Sequence, residues 1–438
     1  MIHFAILVLA ICAPLAAGAQ AVPGAIDDSD YAPLTLREAE LGQLLFYDPI
    51  LSGNRNVACA TCHHPSLGTA DGVSLSIGDG GIGLGLERQA DPANPPLKRI
   101  PRNAPALFNL GAREFTVMFH DGRLEAAPNH PRGLRSPLDA DMPEGFANVL
   151  SAQTMFPVLS RDEMAGSYDE NEIGRAVRQG KISGPGGAWD LLAQRVRAIP
   201  DYSRQFAQAY EHIDQPQDIG FTDISNAIAA FMAFEWRSDT SPFDAYLRGQ
   251  GTLAPQADQG RTLFYGKAAC SSCHSGKFQT DHRFHAMAAP QIGPGKAADF
   301  ETHARDEGRF RVTGKASDRF AFRTPSLRNV ALTSPYGHAG SHASLTGFVT
   351  DHADPVRAWS RYDSAQAILA PLDVDDFRIL NDTAEARAIT SAVTTPPVQL
   401  DQSEVAALAA FLDSLTDPVA MTGRLGVPKS VPSGLPVP

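Results

Sequence analysis

The apolar positions of the chain follow one rhythm twice. Thr35-x-x-Glu38 is a capping-box pattern that opens an amphipathic stretch ending in Leu45-Phe46-Tyr47, and Asp48-Pro49 stops it. A second such stretch opens near Pro255, ends in Leu263-Phe264-Tyr265 and stops at Gly266. Each has a distant partner. Ile228 to Met232 lies in one apolar helical stretch and Leu408 to Leu412 in another, with Ser403 as the expected cap. In the latter, Val405, Leu408, Phe411, Leu412 and Leu415 share a helical face. The pattern predicts a mainly α chain built of two helical units, residues 30–245 and 250–420, divided at Arg248-Gly249-Gln250-Gly251. The Pro/Gly/Val-rich tail, 421–438, is expected to lack fixed structure.

The start of the chain has a different pattern. Ala5 to Ala16 is almost entirely apolar, and Ala17-Gly18-Ala19 fits a small-x-small cleavage site. Residues 1–19 therefore read as a secretory signal peptide, although the preceding segment offers only His3 as a basic group. The apolar run is short for a bilayer span, and no later segment is long and apolar enough to be one. Cleavage removes Cys12 and places the mature chain in the periplasm. The 438 residues allow two to three domains. A net charge of −12 with no Lys/Arg block argues against nucleic acid as a partner.

Four cysteines remain after cleavage, as Cys59-Ala60-Thr61-Cys62-His63 and Cys270-Ser271-Ser272-Cys273-His274. The C-x-x-C-H spacing suits covalent haem c. Two thiols add to two haem vinyl groups, and the adjacent imidazole, His63 or His274, sits beneath the iron. One zinc site from both pairs, or two disulfides, would leave the adjacent histidines unexplained. The expected fold is thus two cytochrome-c-like helical domains, each with one covalent haem. Gly78-x-Gly80-x-x-Gly83 has the letters of a dinucleotide fingerprint, but it runs into Pro92, Pro95 and Pro96 instead of a helix and reads as a flexible loop. No histidine lies between His64 and His120, and Met118 is the only methionine there. An open sixth position on the first iron is expected from that gap.

The haem motifs, Phe119-His120-Asp121-Gly122-Arg123 and Arg323-Thr324-Pro325-Ser326-Leu327-Arg328-Asn329 resemble the bacterial di-haem cytochrome c peroxidase and MauG-like family. The similar stretches are Leu41 to Pro65, Arg102 to Arg123, Gln153 to Met164, Leu263 to His274, and Phe322 to His352. The resemblance implies that Gln153 and Glu163 line the distal pocket of the N-terminal haem. Glu163 would take a proton from peroxide and return it to the departing oxygen, while Gln153 orients the peroxide. Three positions depart from the pattern. Asp79 aligns with a loop histidine that caps the first haem in many relatives. His120 stands where tryptophan is common between the haems. His352, fourteen residues after His338, aligns with the Met or Tyr that binds the second iron. Ser344-Leu345-x-x-Phe348-Val349 suggests a helix start that would aim His352 at that iron, with His342 and Met287 as rivals that do not align. The resemblance also implies a calcium ion held by the Asn103 side chain and the carbonyls of Thr333 and Pro335. His338 matches a family position without an assigned role.

The implied activity is reduction of hydrogen peroxide to water at the N-terminal haem. Electrons would come through the C-terminal haem from a small cytochrome c or cupredoxin. The alternatives are a MauG-like oxidase that modifies residues of a partner protein, and a non-catalytic di-haem electron carrier.

Overall fold

The computed structural model describes residues 22–297 and 301–438, so the signal-peptide reading of residues 1–19, with Cys12, lies outside the described residues. Six helices position the sites: α1 (Leu36–Tyr47), α2 (Val149–Gln153), α3 (Phe221–Glu235), α4 (Pro255–Phe264), α5 (Leu345–Ala353) and α6 (Gln402–Asp413). Strands are short. Phe284–His285 pairs antiparallel with Phe322–Arg323, and Val117–Met118, Leu124–Ala126 and Leu134–Arg135 form a three-stranded ribbon.

Helix α1 starts as its sequence requires. Thr35 Oγ1 accepts from the Glu38 amide at 3.2 Å, and the Glu38 carboxylate accepts from the Thr35 amide at 3.0 Å. Helix α6 corrects the expected cap. Asp401, not Ser403, takes the amide of Glu404 at 2.9 Å, and Glu404 returns the bond to the Asp401 amide at 3.0 Å. Ser403 then falls inside the first turn, because Asp401-x-x-Glu404 completes the reciprocal box two residues earlier.

The sequence repeat is also a packing repeat. A Cβ on Gly42 of α1 would lie 1.8 Å from the Ala227 carbonyl oxygen of α3. A Cβ on Gly260 of α4 would lie 1.8 Å from that of Ala407 in α6. Only glycine permits either backbone approach. One turn on, Phe46 meets Phe231 with ring centroids 5.3 Å apart, and Phe264 meets Phe411 at 5.1 Å. Each buried ring pair adds about 0.5–1.5 kcal/mol beyond its area. Trp236 fills out the first of these cores and Phe243 the second.

Two segments expected to be loose are fixed. In the glycine-rich loop, the buried Arg88 guanidinium donates to the carbonyls of Gly83 at 2.8 Å and Gly78 at 2.6 Å. The loop is therefore pinned from within by a cation that composition alone would place in solvent. The tail is pinned as well. Buried Glu235 accepts the amides of Arg424, Leu425 and Gly426 at 2.9, 2.7 and 2.8 Å, and Ser433 donates to Asp48 at 2.7 Å. Val431 is buried against the first core. Its few apolar residues suffice because three backbone donors converge on one carboxylate.

Candidate functional site

The first C-x-x-C pair forms one helical turn, Cys59–Cys62, against a largely apolar cavity. The cavity encloses about 1310 Å³ of atom-free space, its mouth included. Phe46 of α1, with Ile228 and Met232 of α3, supplies part of its wall, so the helix pair that carries the repeat also shapes the pocket. His63 also lines it. The His63 Nδ1–H donates to the Thr69 carbonyl at 3.0 Å, which leaves the Nε2 lone pair free. Burial holds this imidazole below its ordinary pKa, in the neutral form that a metal requires.

Gln153, Glu163 and His120 face the same space. Gln153 ends α2, and its Oε1 is buried without a hydrogen-bond partner. Such an orphaned acceptor costs about 1–3 kcal/mol unless a ligand supplies a donor. Glu163 sits on a single π-helical turn, Arg161–Ala165. The turn is held by Gly53 donating to Met164 at 2.7 Å and by Asp79 donating to the Glu163 carbonyl at 3.0 Å. Burial pushes the Glu163 carboxyl above the ordinary carboxylate range, and Lys296 and Arg123 offset part of that rise. Free thiols, an available Nε2, an apolar wall and an unpartnered acceptor are what a covalent haem with a small polar guest would need.

Asp79 does not line the cavity. Its carboxylate accepts from Asn54 at 3.2 and 3.1 Å. His120 is enclosed, and burial together with Arg102 pushes its pKa down to about 3. Its carbonyl accepts the Arg323 amide at 2.7 Å. Behind it, Arg102 binds Asp306 at 2.7 and 2.9 Å and Asp121 at 2.7 Å, while Arg123 lies 3.6 Å over the Phe119 ring.

At the second pair, the His274 Nδ1–H donates to Gln279 at 3.1 Å, repeating the His63 arrangement. Ser344 caps α5 through the Gly347 amide at 3.3 Å, and the helix carries His352 to a ring-centroid distance of 6.4 Å from His274. Metal–imidazole bonds of about 2.0–2.1 Å, plus roughly 1.1 Å from nitrogen to ring centre, give about 6.3 Å for two imidazoles on one ion. The observed gap matches that spacing. Burial pushes the His352 pKa down to about 4, and Phe348 stacks on its ring at 5.2 Å. His342 is no rival. Its two nitrogens pair with Ser341 at 2.9 Å and Asp351 at 3.0 Å.

The single-zinc reading fails. Among the described residues, the one cluster of three or more His, Cys, Asp or Glu ligand atoms is Cys273, Asp281 and His285, so the two cysteine pairs do not converge. All four thiols are free of disulfides. Asn103 is buried and donates through Nδ2 to Val73 at 2.9 Å and Ser74 at 3.3 Å, while its amide donates to His338. Thr333 and Pro335 flank the turn that leads to His338. The His338 ring stacks on Phe322 with centroids 3.8 Å apart, and its Nε2 has no partner. Lys296, to which the sequence reading gave no role, also lines the cavity. It follows the Gly293-Pro294-Gly295 segment directly.

Residues 37–252 match the family described as di-haem cytochrome c peroxidase. The methylamine utilization protein MauG of Methylorubrum extorquens is 31% identical over 321 residues, covering 73% of this chain and 69% of that protein. The cytochrome c551 peroxidase of Pseudomonas aeruginosa is 29% identical over 321 residues, covering 73% and 72%. The crystal structure of a MauG-like protein associated with microbial copper homeostasis superposes with a TM-score of 0.55 at 28% identity, over 92% of this chain and 95% of that one. No helix among the described residues is long and apolar enough to cross a membrane.

Proposed function

The chain belongs to the di-haem cytochrome c peroxidase family, whose members are oxidoreductases, and from that membership we propose that it reduces hydrogen peroxide to water at a haem held by Cys59, Cys62 and His63. Cys270, Cys273, His274 and His352 would hold a second haem, which would supply the two electrons drawn from a small cytochrome c or cupredoxin. The two haem units are residues 30–245 and 250–420. The carrying observation is the cavity that joins a free His63 Nε2 to Glu163 and to the unpartnered Gln153 Oε1.

The haem iron, when bound, supplies the redox centre for O–O cleavage. The residues handle the protons. The Glu163 carboxylate accepts a proton from peroxide and returns it to the departing oxygen, so that H2O2 + 2H⁺ + 2e⁻ gives two waters. Its pKa, raised by burial, suits both directions of transfer better than an ordinary carboxylate. Gln153 Oε1 accepts a hydrogen bond from the peroxide and fixes its orientation. His120, neutral and enclosed, lines the cavity at the position where relatives commonly carry tryptophan between the haems. The same reading places calcium at Asn103, Thr333 and Pro335, and the mature chain in the periplasm after loss of residues 1–19.

A second reading is favoured by the MauG relative and by the 6.4 Å His274–His352 spacing. Two imidazoles hold a haem at lower potential than a methionine ligand and favour its oxidised state. Such a protein would store oxidising equivalents and modify residues of a partner protein. Peroxide consumption with a reduced small cytochrome or cupredoxin as donor separates the two. Rapid turnover is expected. Negligible turnover, with the oxidising equivalents retained on the protein, would replace the peroxidase reading by the oxidase one.

A further inference from the structure

Behind each proximal histidine the same device occurs. Thr69 and Thr280 each stand six residues after one, His63 and His274. Each donates its amide to the carbonyl of the residue that follows that histidine, His64 at 3.0 Å and Ser275 at 2.7 Å. The carbonyl that accepts the His63 Nδ1–H belongs to Thr69, at φ +60°, and the one that accepts the His274 Nδ1–H belongs to Gln279, at φ +48°. Neither is glycine, and a β-branched residue such as threonine rarely enters the left-handed region. Such backbone persists only where its surroundings hold it. A buried hydroxyl does so in both halves. Thr69 Oγ1 accepts the Leu107 amide at 2.8 Å. Thr280 donates through Oγ1 to the Thr324 carbonyl at 2.7 Å and accepts the His282 amide at 3.0 Å. Both hydroxyls reach a matching segment, Ala104-Pro105-Ala106-Leu107 in the first half and Thr324-Pro325-Ser326-Leu327 in the second. Pro105 and Leu107 also line the first cavity.

We propose that Thr69 and Thr280 are positioning residues, each stapling the turn behind its histidine to the proline segment of the same half and so fixing how strongly His63 and His274 donate to iron. The inference rests on the reading of those histidines as haem ligands. A hydrogen bond from Nδ1–H to a carbonyl raises the basicity of the imidazole at Nε2, and a more basic ligand favours the ferric over the ferrous state. The carbonyls of Pro105 and Pro325 face the same rings, so each staple draws together the two segments that supply acceptors. Valine has the shape of threonine without the hydroxyl. At position 69 it leaves the buried Leu107 amide without its acceptor and the left-handed backbone without its tie. At position 280 it frees the turn that carries Gln279. Serine keeps both bonds.

The test uses the holoprotein and four variants: Thr69→Val, Thr69→Ser, Thr280→Val and Thr280→Ser. Spectroelectrochemical titration reads the midpoint potential of each haem, the two being told apart by their high-spin and low-spin Soret bands. Thr69→Val is expected to raise the potential of the first haem alone, and Thr280→Val that of the second alone, with both serine variants at the wild-type values. In the ferrous protein the iron–histidine Raman band of the first haem should move to lower frequency in Thr69→Val. Its peroxide reaction should slow by about 10–100-fold, the usual cost of losing a partner behind a metal ligand. Where a valine variant fails to load haem, Thr69→Ala and Thr280→Ala remove the same hydroxyls with less bulk. Potentials and a Raman band that stay at the wild-type values in the haem-loaded valine or alanine variants overturn the inference, while the haem reading stands. A wild-type protein whose mass shows no covalent haem removes that reading, and the inference with it.

Discussion

Replacing Glu163 by Gln is close to isosteric and removes one proton-transferring group from the cavity. The loss of a general acid–base slows such steps by about 10²–10⁴-fold, or about 3–5 kcal/mol of barrier at 1.36 kcal/mol per tenfold. The surroundings place the expected value in the upper part of that range. His120 cannot stand in, because burial and Arg102 push its pKa down to about 3 and leave it neutral at working pH. Gln153 does not titrate, and His63 has its Nδ1–H committed to Thr69. The pH dependence follows from the sign of the shift. Glu163 is raised by burial, so its base form is populated only above a midpoint higher than the ordinary Glu value of about 4.3. The rate constant for the peroxide reaction should therefore climb with pH through that raised midpoint and fall below it. Stopped-flow mixing of ferric protein with peroxide, followed in the Soret band from pH 4 to 9, measures both quantities. In Glu163→Gln the rate should drop and the acid limb vanish. A variant within threefold of the wild type, or one that keeps the same limb, would refute the assignment of Glu163 as the acid–base group.

Two further outcomes are expected. His352→Ala should convert one low-spin haem to high-spin in the electron paramagnetic resonance spectrum and leave the other unchanged, since the 6.4 Å ring spacing leaves room for one ion between His274 and His352; a surviving low-spin signal would identify another ligand. The denatured protein should exceed its polypeptide mass by two haem units and keep both through acid–acetone extraction, because Cys59, Cys62, Cys270 and Cys273 are all free to form thioethers. Haem that extracts would refute covalent attachment.

The haem motifs were legible in the sequence because their chemistry is local: two thiols and an imidazole must lie within five residues to grip one ring. The helix pairs were legible for a related reason. Gly42 and Gly260, with Phe46 and Phe264 one turn on, write the same crossing twice, and a helical face repeats its apolar positions at short range. The cap of α6 was read two residues late because Ser403 and Asp401 are both good caps, and only the reciprocal bond with Glu404 distinguishes them. The order of the tail and of the glycine-rich loop was not legible. Both depend on single buried charges, Glu235 and Arg88, whose partners are backbone groups without a sequence signature. Two features of the site likewise exist only in three dimensions: the orphaned Gln153 Oε1 and the 6.4 Å His274–His352 gap. Both depend on how distant parts of the chain pack, and a lone pair gains its chemical meaning from what burial removes around it.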